Sequence, residues 1–67
     1  MANKFKLFQV VELLHGFPDD RLKPGERGTI VHEHTVPSEA YEVEFCDKEG
    51  RTIAMITVGP DDISSVD

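Results

Sequence analysis

Residues Tyr41 to Cys46 read Tyr-Glu-Val-Glu-Phe-Cys, a strict alternation of large apolar and acidic side chains. Only a strand has a side-chain period of two, so Tyr41, Val43 and Phe45 share one face while Glu42 and Glu44 share the other. A strand with one dry and one wet face belongs to an antiparallel sheet packed on one side. The neighbouring segments fit that frame. Phe8 to Leu14 reads as a first strand, with Val11 and Leu13 on one face and Glu12 on the other. His15 to Glu26 carries Gly, Pro, Asp-Asp and Pro-Gly and is predicted to be a long loop. Arg27 to His34 is the second strand, Thr35 to Ala40 a loop, residues 51–58 the fourth strand and residues 63–66 a short closing strand.

The turns have their own chemistry. Lys23-Pro24-Gly25-Glu26 suits a type II turn, in which Pro presets φ at the second position and Gly25 takes positive φ at the third. Asp47-Lys48-Glu49-Gly50 suits a type I turn with Gly50 left-handed, closing a three-residue hairpin loop. Gly59-Pro60-Asp61-Asp62 is expected to form a 3₁₀ turn before the last strand. Gly28, inside the second strand, predicts a bulge or tight bend. Leu22 is an aliphatic residue amid charges and is expected to fold back as a plug over one end of the core. If Asp47 pairs with Arg51, regular register sets Phe45 opposite Ile53 and Val43 opposite Met55. Ile53 and Met55 then join the core, and Ala54 and Ile56 lie outside beside Glu44 and Glu42.

The order of strand, long loop, strand, loop, strand, tight turn, strand, 3₁₀ turn and strand predicts an all-β, five-stranded SH3-like barrel over residues 8–67, with residues 1–7 as an N-terminal extension. Its 67 residues allow one domain and a thin core, since a chain this short buries only about 60% of its unfolded surface. Cys46 is the lone cysteine, so no disulfide forms within the chain. A reducing, cytoplasmic setting is the expectation, and no apolar run approaches the roughly 20 residues that span a bilayer.

The run Leu22-Lys-Pro-Gly-Glu-Arg-Gly-Thr-Ile-Val31, then Tyr41-Glu-Val-Glu-Phe45 and Gly50-Arg51-Thr52, resembles the short bacterial proteins grouped as domain of unknown function 4926. The match covers residues 8 to 66. It implies an SH3-like barrel and no established activity, and the occurrence of some relatives beside toxin-like genes points toward an antitoxin or immunity role. The Gly25-x-x-Gly28-x-Ile30 step is also similar to one in KOW modules and in the small barrel of the nitrile hydratase β subunit.

Thirteen Asp and Glu face seven scattered Lys and Arg, a net charge of −6 that disfavours a partner held through phosphates. Acidity of this kind serves solubility, or attracts a basic protein partner. His32 and His34, two apart on a strand, share a face with Glu33 opposite. They are the weak metal candidates, with His15 or Glu39 as the evident sources of a third ligand. No tight metal site and no cofactor are expected. Glu42 and Glu44 could pair as acid and base, but outward glutamates also make an ordinary solvated face. Cys46 lacks an elbow or oxyanion-hole signature, so no enzyme is expected.

The apolar run Ile53 to Val58 requires cover on both faces. Either the N-terminal Phe5, Leu7 and Phe8 supply it, or a partner does. The reading is a non-catalytic protein-binding module, antitoxin-like or subunit-docking, with Glu42, Glu44 and Ile56 as contact candidates, and monomeric or weakly dimeric. The alternative is a nucleic-acid or ribonucleoprotein accessory barrel.

Overall fold

The computed structural model describes residues 4–66. Five strands follow the chain: β1 (Val10–Leu13), β2 (Arg27–His34), β3 (Ala40–Cys46), β4 (Thr52–Val58) and β5 (Ile63–Ser65). They form one antiparallel sheet in the order β4-β3-β2-β1-β5. β4 and β5 are its edges. No ladder joins them among the described residues, so the sheet is open where a barrel would be closed.

One face of the sheet is dry. Val11 and Leu13 of β1, Ile30 of β2, Tyr41, Val43 and Phe45 of β3, Ile56 and Val58 of β4 and Ile63 of β5 bury their side chains together with Phe5 and Leu22. The alternation in β3 sets the pattern, its three inward residues being 0–2% exposed. Gly28 also points inward. A Cβ there would lie 2.7 Å from Val43 Cγ1 and 2.8 Å from the Glu44 carbonyl oxygen, so Gly28 marks a close backbone approach, and of the expected bulge or tight bend the bulge is not there.

The bulges fall elsewhere. In the β2–β3 ladder Ile30 faces Val43 and His32 faces Glu42, leaving Val31 as the extra residue. In the β3–β4 ladder Cys46 faces Thr52 and Phe45 faces Ala54, leaving Ile53 extra. The hairpin turn itself is as the sequence indicates. The Asp47 N–H donates to the Arg51 carbonyl at 2.9 Å, and Gly50 has a φ of 82°. Asp47 holds the turn, its carboxylate taking the N–H groups of Glu49 and Arg51 at 2.9 Å each. The Ile53 bulge then inverts the remainder of β4. Val43 faces Ile56 instead of Met55, so Ile56 enters the core at 8% exposure while Ile53 and Met55 stand 55% and 53% exposed. The expected outward position of Ile56 is thereby corrected.

The long loop contains the single described 3₁₀ turn, Pro18–Asp20. Gly59–Asp62, where the sequence suggests one, is a turn closed by Asp62 N–H on the Gly59 carbonyl at 3.1 Å. Phe17 and Leu22 exchange backbone hydrogen bonds across the 3₁₀ turn, at 2.9 and 3.1 Å, and carry Leu22 into the core at 3% exposure. Gly25, with a φ of 87°, turns the chain into β2.

Of the described N-terminal residues, Phe5 enters the core, and residues 4–8 do not cover the outer face of β4. Phe5 is 3% exposed and packs edge-on against Tyr41, with ring centroids 5.5 Å apart. The Tyr41 hydroxyl accepts the Phe5 N–H at 3.0 Å and donates to Glu39, which also accepts the Lys4 N–H at 2.9 Å. Glu33 takes the Leu7 N–H at 2.8 Å. Phe8, at a φ of 67°, turns outward and breaks the pattern two residues before β1 begins. Leu7 and Phe8 remain exposed. Residues 1–3, included in the expected extension, lie outside the described residues.

Two measurements test this packing. Leu22→Ala is expected to destabilise by about 2–4 kcal/mol, read as a lower urea midpoint; an unchanged midpoint would place Leu22 on the surface. Ile56→Lys is expected to unfold the isolated protein, since it buries an unpaired ammonium, while Met55→Lys leaves the melting curve nearly unchanged. The opposite ranking would show that β4 has regular register and no bulge at Ile53.

Candidate functional site

The outer face of the sheet is built from two rows of directly opposed residues. One runs Val10, Thr29, Glu44, Met55 across β1 to β4. The other runs His32, Glu42, Thr57 across β2 to β4. Neighbouring strands are about 4.8 Å apart, so the first row extends about 14 Å, with an exposed aliphatic or thioether side chain at each end and a carboxylate between. Glu44 accepts the Thr52 hydroxyl proton. Of the contact candidates, Glu42 and Glu44 lie on this face and Ile56 does not. Ile53 and Met55 take its place on the edge strand β4.

The Val31 bulge gives the second row its character. Beyond it the even-numbered residues of β2 turn outward, so that His32 and His34 stand on the face that carries Glu42. His34 is opposite Ala40, whose small side chain leaves space for the imidazole to lean diagonally. His34 Nε2 reaches Glu42 Oε2 at 3.1 Å. The two imidazole centroids are 4.5 Å apart. One ligand atom from each of His32, His34 and Glu42 can be chosen so that all three lie within 4.8 Å of one another, with His32 exposed and the other two half-buried. The third member is therefore Glu42, which the sequence marks as an outward acid and a contact candidate but not as a metal ligand.

His15 and Glu39 are engaged elsewhere. His15 Nε2 bonds Asp62 Oδ1 at 2.7 Å, and Nδ1 meets the Gly16 carbonyl at 3.2 Å. Both partners are acceptors, so the ring satisfies both only as an imidazolium. The hydrogen bond that His15 donates to Asp62 is the main reason that His15 titrates above its ordinary value, and the Gly16 carbonyl adds to it. The same His15 bond, with the Gly59 N–H at 2.8 Å, holds the Asp62 carboxyl below its ordinary value. Glu39 is likewise held low, chiefly by the Tyr41 hydroxyl, while burial pushes that phenol up. Cys46 is an exposed thiol at the end of β3. Among the described residues no pocket forms, and no helix is long and apolar enough to cross a membrane.

A small open antiparallel sheet, dry on one face and with paired histidines and carboxylates on the other, is the class of domain these residues define. The chain belongs to the family of domain of unknown function DUF4926, whose model matches residues 7–65. No curated protein and no solved structure matches the chain.

The His15–Asp62 pair has a pH signature with a definite sign. His15 is raised, so its contribution to stability is whole below its unfolded value of 6.5 and fades as pH rises through the folded value. Asp62 is lowered, so its contribution is present above 3.8 and fades as pH falls through its folded value. The stability difference between the parent and Asp62→Asn should therefore be largest between those two values. NMR titration of the variant should show His15 moving back down toward 6.5. A His15 titration identical in parent and variant would remove the pair.

Proposed function

We propose that the chain is a non-catalytic protein-binding module that takes a basic, partly apolar strand of another protein along the edge of β4. What supports this reading is the exposure of Ile53 and Met55, about half each, on a strand whose far side has no neighbour among the described residues. A strand edge offers unpaired N–H and carbonyl groups, and an added strand satisfies them while its side chains pack against those alongside. The cluster of apolar groups at such an edge calls for a covering surface. Glu44 lies directly opposite Met55 on the outer face and Glu42 one diagonal step away, within a chain of net charge −6, so the complementary strand carries Lys or Arg between its apolar residues. A cytoplasmic setting, where the Cys46 thiol stays reduced, accompanies this reading.

A displayed library of ten-residue peptides tests it. Enrichment of sequences alternating aliphatic with basic residues is expected, weakened about tenfold by Met55→Lys and by Glu44→Lys but not by Val36→Lys on a remote loop. Hydrogen exchange should slow at residues 53–57 on binding. Enrichment that ignores Met55 and Glu44, or a steeply salt-dependent affinity for generic RNA in place of peptides, would defeat the proposal.

A further inference from the structure

We infer that His32, His34 and Glu42 form a binding site for a single Zn²⁺-class transition-metal ion on the outer face of β2 and β3. The inference does not rest on the binding of any protein partner. Three features of the fold carry it.

The first is position. Two histidines in an i, i+2 pair always share a face, but they share it with an acid only if the ladder presents one. Here the Val31 bulge turns both imidazoles outward, and the ladder sets Glu42 directly opposite His32 and one diagonal step from His34. All three side chains thus rise from paired strand positions, where backbone hydrogen bonds hold the Cα atoms in place, and not from loops.

The second is distance. Bonds of about 2.0–2.2 Å from zinc to nitrogen and oxygen, arranged tetrahedrally, place ligand atoms about 3.4 Å apart. His34 Nε2 and Glu42 Oε2 are already 3.1 Å apart. The widest separation in the trio lies within 4.8 Å and involves His32, the exposed member, whose ring faces solvent. In the metal-free protein, a proton lies between His34 and Glu42. The ion takes that position: the neutral His34 ring, which donates Nε2–H to Glu42 without metal, carries its single proton on Nδ1 when Nε2 ligates the ion.

The third is donor chemistry. Two imidazoles and one carboxylate suit Zn²⁺, Ni²⁺ or Cu²⁺, whereas Mg²⁺ and Ca²⁺ favour shells of oxygen alone. Glu44, on the same face one row away, adds negative potential that favours a cation over an empty site. With three protein ligands the ion retains an open position, filled by water or by a donor that another molecule brings.

Titration of the chelator-treated, desalted full chain with Zn²⁺ alone tests the assignment, by calorimetry and by NMR of the histidine ring protons. One equivalent is expected to bind saturably, shifting the His32 and His34 signals and leaving His15, which Asp62 occupies, in place. His32→Ala and Glu42→Gln should each weaken binding by roughly tenfold or more. Both side chains are on the outer face, so the melting curve of each metal-free variant should match the parent, and either variant suffices if the other fails to fold. Cys46→Ser should bind as the parent does, which separates this site from the exposed thiol. Mg²⁺ in excess should not compete. Absence of saturable binding, binding unchanged in both ligand variants, or a response confined to His15 or Cys46 would overturn the inference, and would leave the 3.1 Å contact as an ordinary surface hydrogen bond.

Discussion

Side chains on a strand alternate with a period of two, and a single inserted residue reverses every position beyond it. The fold depends on two such insertions, Val31 in β2 and Ile53 in β4, both against the regular strand β3. β3 serves as the template because its alternation admits one orientation only: Tyr41, Val43 and Phe45 cannot face water while Glu42 and Glu44 are buried. Its neighbours must match it, and each does so by a bulge at one point. Without the Ile53 bulge, Ile56 and Val58 would leave the core. Without the Val31 bulge, His32 and His34 would be directed against Tyr41 and the buried end of the sheet.

Sequence chemistry went a long way here. β2 has the bounds that its composition suggests, and β3, β4 and β5 differ by a residue at one end. Gly25 and Gly50 announce positive φ because they follow Pro and close an Asp-led turn, and Leu22 announces burial because nothing else in its loop is aliphatic. The bulges were silent for a physical reason. Val31 and Ile53 are favoured strand residues, and the residue that looked like a bulge, Gly28, is instead required small by the approach of Val43 and Phe45. Register is a property of two strands together, so the hairpin turn could be read correctly while the pairing beyond it could not. The Glu42 contribution to the histidine pair is hidden on the same account: the residues are eight or more positions apart, and only the ladder brings them together.

The N-terminal segment illustrates how polar groups finish a thin core. Phe5 adds apolar area, but its backbone would be left unsatisfied on burial were it not for the Tyr41 hydroxyl, which accepts from Phe5 and donates to Glu39. Glu33, turned inward by the Val31 bulge, captures Leu7 in the same manner. One inserted residue thus serves both faces of the sheet, aiming histidines outward and an anchoring carboxylate toward the N-terminal segment. A small domain without disulfides gains from such clamps, because each fixes a segment that would otherwise fray.

The Ile53 bulge also shapes the edge that β4 presents. A long flat apolar edge is a template for open-ended polymerisation, in which each added strand exposes a fresh edge to the next. The bulge kinks and twists β4 where it leaves the turn, so that only Ala54–Val58 keeps regular pairing geometry. At the other end of the sheet, β5 has three residues and presents a much shorter edge. A β5 edge of three residues offers few backbone groups to the five-residue β4 edge of another copy, which shortens any head-to-tail ladder and disfavours fibre growth.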